Sequence, residues 1–260
     1  MLSRVPQVRW AFGLLLALIV LLFTTVTATA DVDTALIISV DVSSSVDERR
    51  YQLQMEGIAA ALEDKSVIEA ILAGPQAAIQ FIMLTWTDKA QVAIPWTRIA
   101  NIADAKAIAT RVRKIPQLPG DFTCMTRMLQ TISDKIVTQL PEKAARVVVD
   151  VSGDGSENCN PELPTATIRD GLVANGVTVN GLPILEGREA ETLEGRYRQN
   201  VMGGPGSFVL AANGFKDFGR AIRQKFIVEI SGLRAEGLRA AEIGAGVHDH
   251  ASRLKQESME

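Results

Sequence analysis

The sequence predicts one α/β domain: a doubly wound, mostly parallel central sheet with one antiparallel edge strand and helices on both faces. Three observations predict it. Near-continuous apolar runs, the pattern of strands buried on both faces, recur between Ala35 and Ala211. Segments of helical period alternate with them, as crossover helices alternate with the strands of a parallel sheet. Of the 260 residues, 47% are hydrophobic and 22% charged, which excludes a mainly disordered chain, and two cysteines are too few to replace a core.

In chain order, Ala35–Val40 is the first strand, and a helix follows from Asp47 to about Asp64 on an imperfect stripe of Tyr51, Leu53, Met55, Ile58, Ala61 and Leu62. Ala77–Trp86 is the second strand. Gln91–Trp96 is a short third, marked by Pro95 as an edge strand or a strand end. Asn101 caps a helix that runs to about Lys114, before Pro116 and Pro119. A helix from Thr123 to about Leu140 leads into the strand Ala145–Val151. Thr165–Asn175 is a helix ended by Gly176, followed by the strand Val177–Leu182. The polar stretch 186–206 holds one helix near Glu191–Val201, Ser207–Ala211 is a last strand, and Phe215–Ile230 a last helix. One domain over residues 31–231 suffices, and 232–260, with four glycines and scattered charge, reads as a loosely ordered tail.

The mean hydropathy of +0.13 arises almost wholly from the first thirty residues. Arg4 and Arg9 precede an uncharged run from Trp10 to Phe23, and Ala28-Thr29-Ala30 ends the segment. A basic start, a short apolar core and a small-x-small exit describe a secretory signal peptide over 1–30, cleaved after Ala30. An uncleaved anchor is the alternative, although the run is shorter than the roughly 20 residues a bilayer needs. Cleavage moves the formal charge from −3 to −5, leaves no later span, and gives an exported domain, periplasmic or secreted, without a basic footprint for nucleic acid.

Chemistry gathers where strands end. Asp41-Val42-Ser43-Ser44-Ser45 follows the first strand, Ser152-Gly153-Asp154-Gly155 follows Ala145–Val151, and Gly120-Asp121-Phe122-Thr123 opens a helix between them. Ligands of open α/β sheets bind beyond the carboxyl ends of the strands. Two carboxylates and three hydroxyls suit a hard divalent cation such as Mg²⁺, and leave it electrophilic towards another carboxylate. Each piece also has a plain structural reading. Ser45 and Glu48 match a capping box, Thr123 is an acceptable helix cap, and Asp154-Gly155 is an ordinary turn. The coincidence of all three at successive strand-to-helix edges favours a site.

Asp41, Ser43, Ser45, Thr123 and Asp154, in this order on this pattern, resemble the metal-ion-dependent adhesion site of the von Willebrand factor type A domain, over roughly residues 33–230. The resemblance implies that these five residues surround the metal, Mg²⁺ or in its place Mn²⁺ or Ca²⁺. It implies that the first and fourth strands lie together at the sheet centre. It also implies exported bacterial relatives described only as a family of unknown function. Asp121-Phe122 stands where many relatives carry Gly-Gly, and Thr123-Cys124-Met125-Thr126 lacks their Thr-x-Thr. Asp121 adds an outer carboxylate or faces solvent, and Phe122 narrows one side. If Thr123 and Asp154 meet one ion, their loops are neighbours and bring Cys124 towards Cys159. In an oxidising compartment those two thiols are expected as a disulfide clamp, worth roughly 4 kcal/mol in the chain-entropy model.

The implied function is non-enzymatic: the metal bridges the domain to an acidic residue of a protein partner outside the cytoplasm. The alternative is a Mg²⁺-dependent phosphohydrolase of the haloacid dehalogenase type with Asp41 as nucleophile. That chemistry needs a second acid two residues on, where this chain has Ser43. The only histidines, His248 and His250, lie in the tail, and neither a phosphate-binding P-loop nor a Gly-x-Ser-x-Gly elbow is present.

Overall fold

The computed structural model describes residues 29–160 and 162–232. The expected signal peptide, except for Thr29 and Ala30, and the expected tail beyond Gly232, with His248 and His250, lie outside the described residues. Five strands form one sheet: β1 (Val32–Asp41), β2 (Ile79–Trp86), β3 (Ala90–Ile99), β4 (Ala144–Gly153) and β5 (Val177–Pro183). Their order is β3-β2-β1-β4-β5, and only β3 is antiparallel to its neighbour. The helices are α1 (Glu48–Glu63), α2 (Lys65–Leu72), α3 (Ile102–Val112), α4 (Met125–Thr131), α5 (Thr165–Ala174), α6 (Ala190–Asn200) and α7 (Phe218–Ser231).

The strand alternation divides the core in two. Leu36, Ile38 and Val40 of β1 pack with Met55, Ile58 and Leu62 of α1, Val112 of α3, and Phe218, Ile222 and Phe226 of α7. Ile37 faces the other way, with Trp86, Val149 and Val151, against Met128 and Leu129 of α4, Leu172 of α5, and Leu193 and Tyr197 of α6. Period-two alternation on a strand buried on both sides produces this division. The chain runs from β1 to β2 on one side and reaches β4 on the other, so the topological switch point falls between β1 and β4.

Four expectations change. β3 is longer than Gln91–Trp96, and its pairing with β2 loses register between Phe81 and Leu84, opposite Pro95, which has no N–H to donate. The helix α2 is additional: Asp64 closes α1 and its carboxylate also accepts from Ser66 N (2.9 Å) and Val67 N (3.3 Å), so one residue ends one helix and starts another. The helix expected from Thr123 begins at Met125 and changes winding, through a π turn at Ile132–Ile136 and a 3₁₀ turn at Val137–Gln139. Ser207–Ala211 is not a strand. It meets β5 only through isolated bridges such as Gly181↔Val209, because the Phe208 N–H is taken by the Asn180 side chain.

A charged cluster that the sequence reading did not anticipate lies under α7. Lys225 Nζ is 3.1 Å from Glu229 Oε1 and 3.6 Å from Asp150 Oδ1, with all three side chains buried. Asn180 Nδ2 donates to Glu229 Oε1 at 2.8 Å, and the ammonium lies 4.2 Å from the Phe208 ring centroid. Burial, then the neighbouring Glu229, pushes the Asp150 carboxyl well above the usual range.

Candidate metal centre

β1 ends at Asp41, paired with Trp86 of β2, and one residue earlier Val40 pairs with Ser152 of β4. The chain turns at once, because Asp41 Oδ1 accepts the Ser43 N–H at 2.9 Å in an Asx-type turn. Asp47, not Ser45, caps α1, accepting from Arg50 N at 2.8 Å. That removes the capping-box reading of Ser45, whose hydroxyl instead donates to Asp154 Oδ1 at 2.6 Å. Thr123 does not cap α4 either. Cys124 holds that position without a side-chain capping hydrogen bond, and Thr123 Oγ1 lies 3.3 Å from Ser43 Oγ, which is 3.4 Å from Ser45 Oγ.

The five side chains therefore meet at the carboxyl edge of β1 and β4. Asp41, Ser43 and Thr123 are buried, and Ser45 is exposed, so the cluster has a closed floor and an open side. Asp41 Oδ2 is buried and has no hydrogen-bond partner among the described residues. An acceptor left in that state costs about 1–3 kcal/mol, and more when charged. Burial pushes the Asp41 carboxyl up to about 7, against the lowering effect of its bonds to Ser43. Burial likewise raises Asp154.

A divalent cation fits this donor set. Oxygens held about 2.1 Å from Mg²⁺ stand roughly 3 Å apart along an octahedron edge, and the two hydroxyl contacts of Ser43, 3.3 and 3.4 Å, need only small adjustments. Among the described residues no group of three or more His, Cys, Asp or Glu side chains gathers to hold an ion. Any ion here relies on hydroxyls, which favours a hard, oxygen-seeking one.

The surrounding loops are pinned by side chains that bind backbone amides. Asp88 Oδ1 accepts from Phe122 N (2.9 Å) and Asp121 N (3.3 Å), Asn158 Oδ1 accepts from Thr123 N (2.9 Å), and Glu157 accepts from Thr126 N, Cys159 N and Asn160 N. Cys124 and Cys159 are bonded, with their Cα atoms 5.3 Å apart. Asp121 is exposed and contributes its carbonyl, which accepts from Ser44 Oγ at 3.0 Å, while Phe122 stands 51% exposed beside Thr123. Arg50 joins the first loop to the segment after β5, donating to Ser45 O at 2.6 Å and Glu186 Oε1 at 2.7 Å.

Two further residues were not singled out from the sequence. A Cβ on Gly153 would lie 2.9 Å from Asp41 Cβ, 3.0 Å from Asp41 Oδ2 and 2.9 Å from the Tyr197 hydroxyl, so only glycine fits there. Gly153 was legible as a strand end, but not as a point of close approach. Tyr197 had no local signal, since its place depends on how α6 docks.

Solved structures share this fold. Proximal thread matrix protein 1 (PTMP1) from the mussel byssus matches with a TM-score of 0.59 at 17% identity, over 78% of this chain and 48% of that one. The same mussel protein with a zinc-occupied MIDAS motif matches with a TM-score of 0.57 at 19% identity, over the same 78% and 48%. The vWF domain of the type V pili tip protein Mfa5 from Porphyromonas gingivalis matches with a TM-score of 0.52 at 10% identity, over 78% of this chain and 97% of that one. This chain thus spans about half the length of the mussel protein. The fold is that of the von Willebrand factor type A domain. No curated protein matches the chain. One family matches residues 31–234, under the description "Protein of unknown function (DUF1194)".

Proposed function

The chain belongs to this family of unknown function, a membership that carries no activity with it, and we propose that the protein is a metal-dependent adhesion domain. Asp41, Ser43, Ser45, Thr123 and Asp154 hold a divalent cation, Mg²⁺ or in its place Mn²⁺ or Ca²⁺. The observation that carries this reading is Asp41 Oδ2, a buried carboxylate oxygen without a partner among the described residues, next to the linked hydroxyls of Ser45, Ser43 and Thr123. The ion supplies positive charge and an open coordination position for a carboxylate of a partner protein. The protein's own part is to hold its oxygens in place, keep Asp41 away from water and present the open side at Ser45.

The setting is outside the cytoplasm, with residues 1–30 removed as a signal peptide and 31–231 forming the working domain. The Cys124–Cys159 disulfide supports an oxidising compartment. The zinc-occupied MIDAS motif of the mussel matrix protein and the pilus-tip setting of Mfa5 support metal-dependent adhesion by this fold. Ser43 stands where a phosphohydrolase of the alternative type needs its second acid, which disfavours that reading.

Thermal unfolding in EDTA against millimolar Mg²⁺ or Mn²⁺ tests the reading. An ion at a hundredfold excess over its Kd adds about 2.7 kcal/mol. The wild type should gain and Asp41→Ala should not. No gain in the wild type defeats the reading, and a phosphatase activity lost with Asp41 would favour the enzyme. Intact mass of the exported protein, expected to begin at Asp31, tests the cleavage.

A further inference from the structure

Tyr197 of α6 is 1% exposed, and its hydroxyl has no hydrogen-bond partner among the described residues. A tyrosine used only to fill space leaves a buried donor unpaired where phenylalanine would serve, so the hydroxyl calls for an explanation. Its surroundings supply one. The hydroxyl and Asp41 Oδ2, both unpartnered, lie about 3 Å from one point, the Cβ position that Gly153 leaves empty. No side chain from β4 separates them, and α6 is fixed by the packing of Leu193 and Tyr197 in the second core. A phenol is neutral throughout the pH range in which carboxylates ionise, so the hydroxyl has a proton to donate.

We infer that Tyr197 is a positioning residue of the metal centre, its hydroxyl donating through one water to Asp41 Oδ2 and thereby fixing the carboxylate towards the ion. This rests on the metal reading above. Outer partners that orient a ligand typically change metal affinity 10–100-fold.

The test is Mn²⁺ and Mg²⁺ titration calorimetry on the full exported protein and on Tyr197→Phe. The variant should bind about 10–100-fold more weakly, while its melting temperature in EDTA is not lowered. A merely structural tyrosine would show the reverse, a lower melting temperature in EDTA with unchanged affinity, and that result overturns the inference. The chain has two tyrosines, Tyr51 and Tyr197, and Tyr51 already donates to Ile115 O. Labelling tyrosine Cζ with ¹³C therefore gives two resonances, of which Mg²⁺ should shift the Tyr197 one in the wild type. An unshifted resonance in protein that binds Mg²⁺ overturns the inference even if the variant fails to fold. A wild type that binds neither ion defeats the metal reading and takes this inference with it, whereas equal binding by wild type and variant defeats this inference alone.

Discussion

Ser45 Oγ donates to Asp154 Oδ1 at 2.6 Å, joining the loops that follow β1 and β4 across 109 residues of sequence. The bond is exposed, so Ser45→Ala should lower stability in EDTA by less than about 1 kcal/mol. The same change removes a proposed ligand, so the stabilisation by Mg²⁺ should shrink far more. Calorimetric scans with and without Mg²⁺ separate the two effects, and equal losses in both conditions would count against ligation by Ser45.

The Cys124–Cys159 bond spans 35 positions of sequence. Cys124→Ser with Cys159→Ser should reduce stability by about 2–4 kcal/mol in urea unfolding. Because the bond ties the Thr123 and Asp154 loops together, Mg²⁺ affinity should fall as well. Unchanged affinity in the variant would reduce the disulfide to a general staple.

Among the described residues, Lys225 is the cation paired with Asp150 and Glu229. Lys225→Met leaves two buried acids facing each other without it, and should cost about 3–5 kcal/mol. Adding Asp150→Asn and Glu229→Gln should restore most of that loss. Urea unfolding of the single and triple variants measures both, and a single variant as stable as the wild type would show that the ion pairs contribute nothing net.

Arg113 grips Glu56 and Glu63 in four hydrogen bonds of 2.8–3.0 Å, and these bonds hold both carboxyls below their ordinary range. A carboxylate with a depressed folded-state pKa stabilises the fold above its unfolded value, about 4.5, and loses that contribution as pH falls through the folded value. The pair is solvent-screened, so the effect is modest. Melting temperatures between pH 7 and pH 3 should drop more steeply for wild type than for Arg113→Ala. Parallel curves would reject the linkage.

The strands were legible because burial on both faces leaves a continuous apolar run, as in β1 and β4. The candidate cluster was legible as far as its donors follow directly on strands, so Asp41, Ser43, Ser45 and Asp154 could be placed at one sheet edge without any tertiary knowledge. Their plain alternatives were not separable by sequence. Ser45–Glu48 and Asp47 both carry capping chemistry, and only the loop geometry selects Asp47. Asp64 hid α2 because a residue that ends one helix gives no sign that it starts the next. Ser207–Ala211 has a strand's composition, but a side chain from β5 takes the Phe208 amide. Lys225 and Tyr197 were illegible for a common reason: their roles come from partners brought in from other elements.

The outer margin of β5 is partly closed to strand addition. Gly203 bridges Val179 and Val209 bridges Gly181 along β5, while the other end strand, β3, carries Pro95, which has no N–H to offer. An occupied edge offers fewer free backbone groups to a strand from another chain, which opposes edge-to-edge polymerisation there. In the proposed reading, recruitment of other molecules falls to the loop rim, where contact is conditional on a dissolved ion and reversed by its removal.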